Sequence, residues 1–319
     1  MKKKLHILFL CLALILTTIP VTPVSVSAKT TASSYTGWKT SGSKKYYYKN
    51  GKRLTGFRKI GKWYYYFDSS GAMRTGWVRV NNKFRYFGSG TGRMHTNQTL
   101  RGRKIDKSGV WTPVIVLDPG HSSIVASGYE PLGPGSSQMK SKDTSGTQGV
   151  ATNVPEYRLN FTIAKSLKKV LETRGYKVIL TRTTNNVALS CIQRAQVANK
   201  AKADAFVRIH ANGSSSSYAN GAMTICTTRN NPYAPSLYKK SKALSSEILN
   251  AYVKATGCRK EFVWETDSMS GNNWSKVPVT IIEMGYMSNP TEDRRMQTAS
   301  YQKKMVAGIA KGIDNYILK

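Results

Sequence analysis

Four residues of this 319-residue chain have the chemistry of a hydrolytic metal centre. His121 follows a Pro-Gly turn in "VIVLDPGH", and His210 closes "AFVRIH". Glu283 closes the apolar run "VPVTIIEM", and Glu156 opens the amphipathic stretch "EYRLNFTIAKSLKKVLETRG". The chain holds only two other histidines, His6 in an apolar N-terminal run and His95 among aromatic repeats. Two imidazoles and a carboxylate hold Zn²⁺ while leaving a position for water, and a second carboxylate must then take the water's proton. Residue types alone leave open which of Glu156 and Glu283 is ligand and which is base, with Glu130 a weaker third choice. Glu156 also has a plain explanation, because acids at a helix start favour the helix dipole.

For these residues to meet, strand ends must bring them together. "VIVLD" (114–118), "KVILTR" (177–182), "AFVRIH" (205–210), "AMTICTT" (222–228) and "VPVTIIEM" have the length and apolarity of buried strands. Helical patterns separate them: Leu159, Ile163, Leu167, Val170 and Leu171 share one face before Gly175, and "CIQRAQVANKAK", "SLYKKSKALSSEILNAYVKATG" and "YQKKMVAGIAKGIDNYI" follow. The alternation predicts an α/β domain over 113–319, a mainly parallel sheet covered by helices on both faces. In such sheets ligands bind at the carboxyl ends of the strands. His121, His210 and Glu283 all fall there.

The N-terminal third is different. Lys2, Lys3 and Lys4 precede an apolar run, and Val26 and Ala28 stand at −3 and −1 of a cleavage site, so 1–28 reads as a secretory signal. No later segment is apolar enough to span a membrane. Residues 35–97 repeat "TGW" or "TGF" at Thr36, Thr55 and Thr75, each followed by an aromatic cluster and a glycine turn. This spacing predicts a small β-hairpin repeat solenoid. The polar stretch 98–112, "TLRGRKIDKSGVW" at its centre, reads as a linker. Three cysteines, Cys191, Cys226 and Cys258, remain outside the signal and imply neither a disulfide framework nor a Cys-x-x-Cys site.

Charge narrows the partners. The formal charge of +33 falls to +30 without the three signal lysines. So basic a chain calls for a polyanion. Secretion points away from nucleic acid and towards wall polymers carrying phosphate or carboxylate.

Four motifs in register, "VIVLDPGH", the "EYRLNF…VILTR" segment, "ANKAKADAFVRIHAN" and "VPVTIIEMGYMSNP", resemble the zinc-dependent N-acetylmuramoyl-L-alanine amidases of the type-3 catalytic family. The resemblance covers 113–319 and implies that His121, Glu156 and His210 bind one Zn²⁺ while Glu283 is the general base. It implies as substrate the amide joining muramic acid to L-alanine in peptidoglycan. Arg194 and Asn212 also match family positions and read as structural. One departure is the 34-residue insert 122–155 between His121 and Glu156, rich in glycine and serine and expected to border the cleft. It either shapes access or is neutral.

The repeats resemble choline-binding-like wall repeats, most closely at "GKWYYYFDSSGAMRTGW". The resemblance makes Trp38, Trp63, Tyr65 and Trp77 candidate wall-ligand residues, and choline or a teichoic acid the candidate ligand. Yet this region carries 14 Lys and Arg around one acid, Asp68, which opposes a bare cation. Rival functions are a wall-binding protein with an inactive catalytic domain, a cysteine-histidine amide hydrolase and a DNA-binding protein.

Overall fold

The computed structural model describes residues 34–319; the expected signal, 1–28, lies outside the described residues. The aromatic repeats form antiparallel hairpins: β1 (Gly37–Ser41) with β2 (Lys44–Lys49) and a short β3 (Lys52–Arg53), β4 (Gly56–Ile60) with β5 (Trp63–Phe67), and β6 (Gly76–Val80) with β7 (Lys83–Phe87). So short a hairpin cannot bury a core alone, and each leans on the one before it. Met73 N donates to Lys45 O and Met94 N to Tyr64 O, both at 2.8 Å.

The stretch 98–112, expected to be a linker, contains a fourth hairpin, β8 (Gln98–Leu100) with β9 (Arg103–Ile105). The turn after it copies the second unit. Asp106 Oδ1 accepts from Ser108 N and Val110 N, as Asp68 Oδ1 does from Ser70 N and Ala72 N. Trp111 N then donates to Phe84 O at 2.9 Å. The unit escaped the sequence reading because its strands carry Thr, Lys and Arg where the others carry Tyr and Trp.

The catalytic-domain candidate begins with β10 (Val114–Pro119) and a small insert hairpin, β11 (Tyr129–Pro131) with β12 (Met139–Ser141). Helix α1 (Glu156–Thr173), β13 (Lys177–Leu180), α2 (Cys191–Lys200), β14 (Ala205–Asn212) and β15 (Ala222–Cys226) follow. Then come α3 (Tyr238–Thr256), β16 (Lys260–Glu265), α4 (Ser270–Asn273), β17 (Val279–Tyr286), α5 (Pro290–Met296) and α6 (Ala299–Ile317). The sheet order is β13-β10-β14-β17-β15-β16, parallel except where β15 meets β17. This is the mainly parallel α/β sheet that the alternation predicts. Leu159, Ile163, Leu167 and Leu171 of α1 pack with α3, α6 and the sheet in one cluster, while Ala195 and Ala198 of α2 cover Val116, Phe206 and Val279 on the other face. Strand β16 was not anticipated. It lies at the sheet edge, and its outward residues Lys260, Phe262 and Trp264 break the apolar pattern of a buried strand.

The repeats dock firmly on this domain. Phe84 is fully buried between Trp111 and Tyr176, with ring centroids 6.0 and 4.8 Å away. Asp314 of α6 accepts from Arg79 of β6, Arg174 and the Tyr176 hydroxyl at 2.6 to 2.9 Å. Gly175, at φ +91°, both ends α1 and makes room, since a Cβ there would stand 1.8 Å from Asn82 O. Truncating Phe84 leaves a cavity in this shared core, so Phe84→Ala is expected to lower unfolding free energy by about 3–5 kcal/mol. A urea titration followed by tryptophan fluorescence measures it; a loss under about 1 kcal/mol, the scale of ordinary surface changes, would show that the docking is superficial.

Candidate metal centre

Each of the four chemistry-bearing residues arrives by a different local rule. His121 follows β10 in a left-handed conformation, φ +55°, which turns the chain back over the strand end. Glu156 is the first residue of α1, after the N-cap Pro155, which is extended at φ −65° and ψ 143° and so marks the helix start. His210 and Glu283 lie side by side, paired in the parallel register of β14 and β17. Cross-strand partners point to one face of a sheet. Both side chains therefore face the same cavity of about 260 Å³, with His121, Arg208, Ile281 and Asp143 also on its walls.

Glu156 is the hub. Its Oε1 accepts from Asn160 Nδ2 at 2.9 Å, Ala211 N at 3.1 Å and His210 Nδ1 at 3.1 Å, and its Oε2 accepts from Thr147 N at 3.0 Å. Burial alone would raise its pKa. The His210 hydrogen bond, the two imidazoles and the Thr147 amide outweigh burial and hold it at about 2. Gly146, at φ +74°, permits this approach, because a Cβ there would stand 2.6 Å from Glu156 Oε2 and 2.7 Å from the His121 ring.

The histidines are set as ligands are set. His121 donates through Nδ1 to Thr144 O at 2.8 Å, with Asp143 Oδ1 at 3.4 Å. That bond assigns the neutral tautomer and aims the Nε2 lone pair at Glu156 Oε2, 3.4 Å away. Two lone pairs so placed need a proton or a metal cation between them. For His121, burial lowers the pKa, but Asp143 and Glu156 more than offset it and the net shift is upward. His210 is driven the other way, towards neutrality, chiefly by burial. Its Nε2 is buried without a hydrogen-bond partner.

One donor atom from each of His121, Glu156 and His210 lies within 4.8 Å of the other two. A buried orphan nitrogen, facing lone pairs and a two-imidazole, one-carboxylate donor set fit a catalytic zinc ion. A partner acid on the far nitrogen of a ligand histidine is the usual outer support, and Asp143 stands where such an acid would. Glu283 Oε2 is also buried and unpartnered. Burial, followed by the charge of Glu156, raises the Glu283 pKa to about 8.

Sequence reasoning missed Asp143, which lies in the insert and carries no periodic signal. It also passed over Asp118, fully buried between Arg194 Nη1 and Arg208 Nε, each at 2.9 Å. The two guanidiniums hold Asp118 far below the usual carboxylate range despite its burial. Arg194 further donates to the backbone oxygens of Pro119 and His121, so its structural reading stands on contacts. Asn212 Oδ1 accepts from Gly213 N at 2.9 Å. Glu130 is away from the cluster: it accepts from Ile192 N at the start of α2 and from Ser270 Oγ at the start of α4. The insert borders the site through Lys140, Ser141, Asp143 and Thr144. Of the aromatic candidates, Trp38 and Tyr65 touch, centroids 5.0 Å apart. Trp63 lines a neighbouring cavity, and Trp77 packs on Trp111 at 4.7 Å.

Comparison with known proteins agrees with this geometry. Residues 115–315 match the family model described as N-acetylmuramoyl-L-alanine amidase, and residues 54–98 match the choline-binding repeat. The chain belongs to the N-acetylmuramoyl-L-alanine amidase family. The probable cell wall amidase LytH of Staphylococcus aureus is 25% identical over 81% of this chain and 72% of its own length. The N-acetylmuramoyl-L-alanine amidase Rv3717 of Mycobacterium tuberculosis is 23% identical over 64% of this chain and 86% of its own. Among solved structures, the catalytic domain of CwlV, an N-acetylmuramoyl-L-alanine amidase from Bacillus (Paenibacillus) polymyxa, superimposes with a TM-score of 0.53 at 28% identity, covering 65% of this chain and 100% of that one.

The raised pKa of His121 sets a direction for metal binding. The proton on His121 competes with the ion, so below this pKa, which lies above the ordinary 6.5, zinc affinity is expected to fall about tenfold per pH unit. Competition against a chromophoric chelator between pH 8 and 5.5 reads the slope. Affinity flat across that range would exclude His121 from the ligand set.

Proposed function

We propose that the protein is a secreted zinc amidase that hydrolyses the bond between N-acetylmuramic acid and L-alanine in peptidoglycan while its repeats hold it to the wall. The single observation that carries this reading is the convergence of His121, Glu156 and His210 beside the unpartnered Glu283. The family match supports the substrate class. In this reading residues 1–28 direct secretion, 35–97 engage the wall, the stretch 98–112 joins the two parts, and 113–319 carry the catalysis. Among the described residues no helix is long and apolar enough to cross a membrane.

His121, Glu156 and His210 would hold the metal. Zinc bound there would polarise the scissile carbonyl, acidify water and draw the Glu283 pKa down from about 8. Glu283 Oε2 takes one proton as water oxygen adds to the carbonyl carbon, and gives it to the amide nitrogen as the C–N bond breaks. The muramoyl side leaves as a carboxylic acid and the stem peptide as an amine, and the acid's remaining proton passes to the amine to give a carboxylate and an ammonium group. Asp143 and Thr144 keep the His121 ring in place, and the Asp118 ion pairs hold the strand ends that carry it.

The choline-binding repeat match and the basic surface support a wall polymer, a teichoic acid or a choline-bearing chain, as the ligand of Trp38, Trp63, Tyr65 and Trp77.

Two substitutions separate ligand from base. Glu283→Gln should keep stoichiometric zinc and lose about 10²–10⁴ in kcat, the usual contribution of a general base. His210→Ala should lose the metal and the activity together. Metal analysis beside release of N-terminal L-alanine from purified walls is the measurement. Zinc missing from the Glu283 variant would reverse the assignment, and wild-type activity that survives chelation would remove the metal from the mechanism.

A further inference from the structure

The cavity of about 260 Å³ that holds the metal residues is also lined by Arg208, Cys191, Lys140 and Met269. None of these four has a part in the reaction as derived above. Arg208 and His210 share one face of β14, two residues apart, so at 3.3 Å per residue the arginine side chain starts about 6.6 Å before the ligand histidine. The cavity therefore runs along the strand, away from the metal.

Arg208 is buried, at 4% exposure, yet its guanidinium is only partly satisfied. Nε donates to Asp118 Oδ2 at 2.9 Å, and Nη2 donates to Cys191 Sγ at 3.5 Å, a weak acceptor. Among the described residues Nη1 makes no hydrogen bond. Gly271 of α4 leaves room for that nitrogen, because a Cβ there would stand 2.6 Å from Nη1 and 2.7 Å from Cζ. Charge is unbalanced in the same place. Asp118 serves Arg194 as well as Arg208, and Asp143 stands beside Arg194 Nη2 and His121. Lys140 of the insert hairpin adds a second cation to the wall; its Nζ donates to Ser268 O and joins no ion pair among the described residues. A guanidinium with a free nitrogen facing a cavity suits a planar carboxylate.

We propose that Arg208, with Lys140 beside it, binds a free carboxylate of the stem peptide one residue beyond L-alanine, and that the protein prefers stems in which this group is not amidated. The inference rests on the amidase reading and names the feature of the substrate that the site selects. Reach picks out the group. An extended peptide spans about 3.5 Å per residue, so two residues from the scissile carbonyl cover about 7 Å, which matches the step from His210 back to Arg208. A second stem residue that is joined onward through its side-chain carboxyl leaves its α-carboxylate at that distance. On the other side of the bond, the muramoyl group offers hydroxyl, ether and acetamido groups and no charge.

Two synthetic muramoyl-peptide strands are compared for release of N-terminal L-alanine by the full chain with zinc supplied. They are alike except that the second stem residue carries a free α-carboxylate in one and its primary amide in the other. Hydrogen bonds to a charged group predict a kcat/KM about ten- to a hundredfold higher for the carboxylate strand. Arg208→Gln should bring that ratio close to one. Lys140 is exposed and stands clear of the Asp118 pairs, so Lys140→Gln tests the same subsite without touching the buried cluster and should lower the ratio about threefold. Equal rates for the two strands, faster cleavage of the amide, or a ratio unchanged in both variants would each overturn the proposal. Cleavage of neither strand overturns the amidase reading itself, whereas equal cleavage of both removes this inference and leaves that reading intact.

Discussion

The catalytic half of the molecule is organised around one buried charge. Glu156 sits at 3% exposure, and an ionised carboxylate so placed costs several kcal/mol unless it is fully paired. Its pairing draws on three separate parts of the chain. Thr147 comes from the insert, Asn160 from the next turn of α1, and Ala211 with His210 from the end of β14. Satisfying this carboxylate therefore closes the insert over the strand ends, fixes the start of α1 and orients an imidazole. Geometry suited to a metal follows from the same contacts that make the buried charge tolerable.

A second buried carboxylate supports the first from below. Asp118 accepts from Arg194, Arg208 and Thr181, which belong to α2, β14 and the end of β13. It ties the elements beneath the site as Glu156 ties those above it. Between them run the His121 backbone, held by Arg194, and the His121 ring, held by Thr144. The two anchors have opposite surroundings: Asp118 is neutralised by guanidiniums within the protein, while Glu156 keeps one oxygen turned towards a histidine lone pair. Only Glu156 is left with an electrostatic need that an added cation would meet.

Much of this was legible in the sequence because it follows from short-range rules. Period-3.6 patterning marked α1, α3 and α6, apolar runs marked β10, β14 and β17, and strand ends located His121, His210 and Glu283. What escaped was set by tertiary context. Strand β16 alternates exposed Lys260, Phe262 and Trp264 with half-buried partners, so it has no apolar run to find. The fourth hairpin hides because Arg and Lys replace its aromatics, although its Asp106 turn repeats the hydrogen bonds of the Asp68 turn. Asp143 has no local signature at all; it matters only because the insert folds back onto His121.

The pairing of His210 with Glu283 has a consequence for how the protein can fail. Side chains alternate along a strand, so a one-residue slip of β17 against β14 exchanges faces. Ile282 would then point into the cavity, and Glu283 would enter the apolar layer where Ile282 and Met284 now pack against α3 and α6. Such a slip is doubly penalised, by a charge stranded in the core and an aliphatic chain stranded in the cleft. Glu283 thus acts as a proofreader of strand alignment: a chain that has assembled its hydrophobic core has, by the same act, delivered this carboxylate to the cavity.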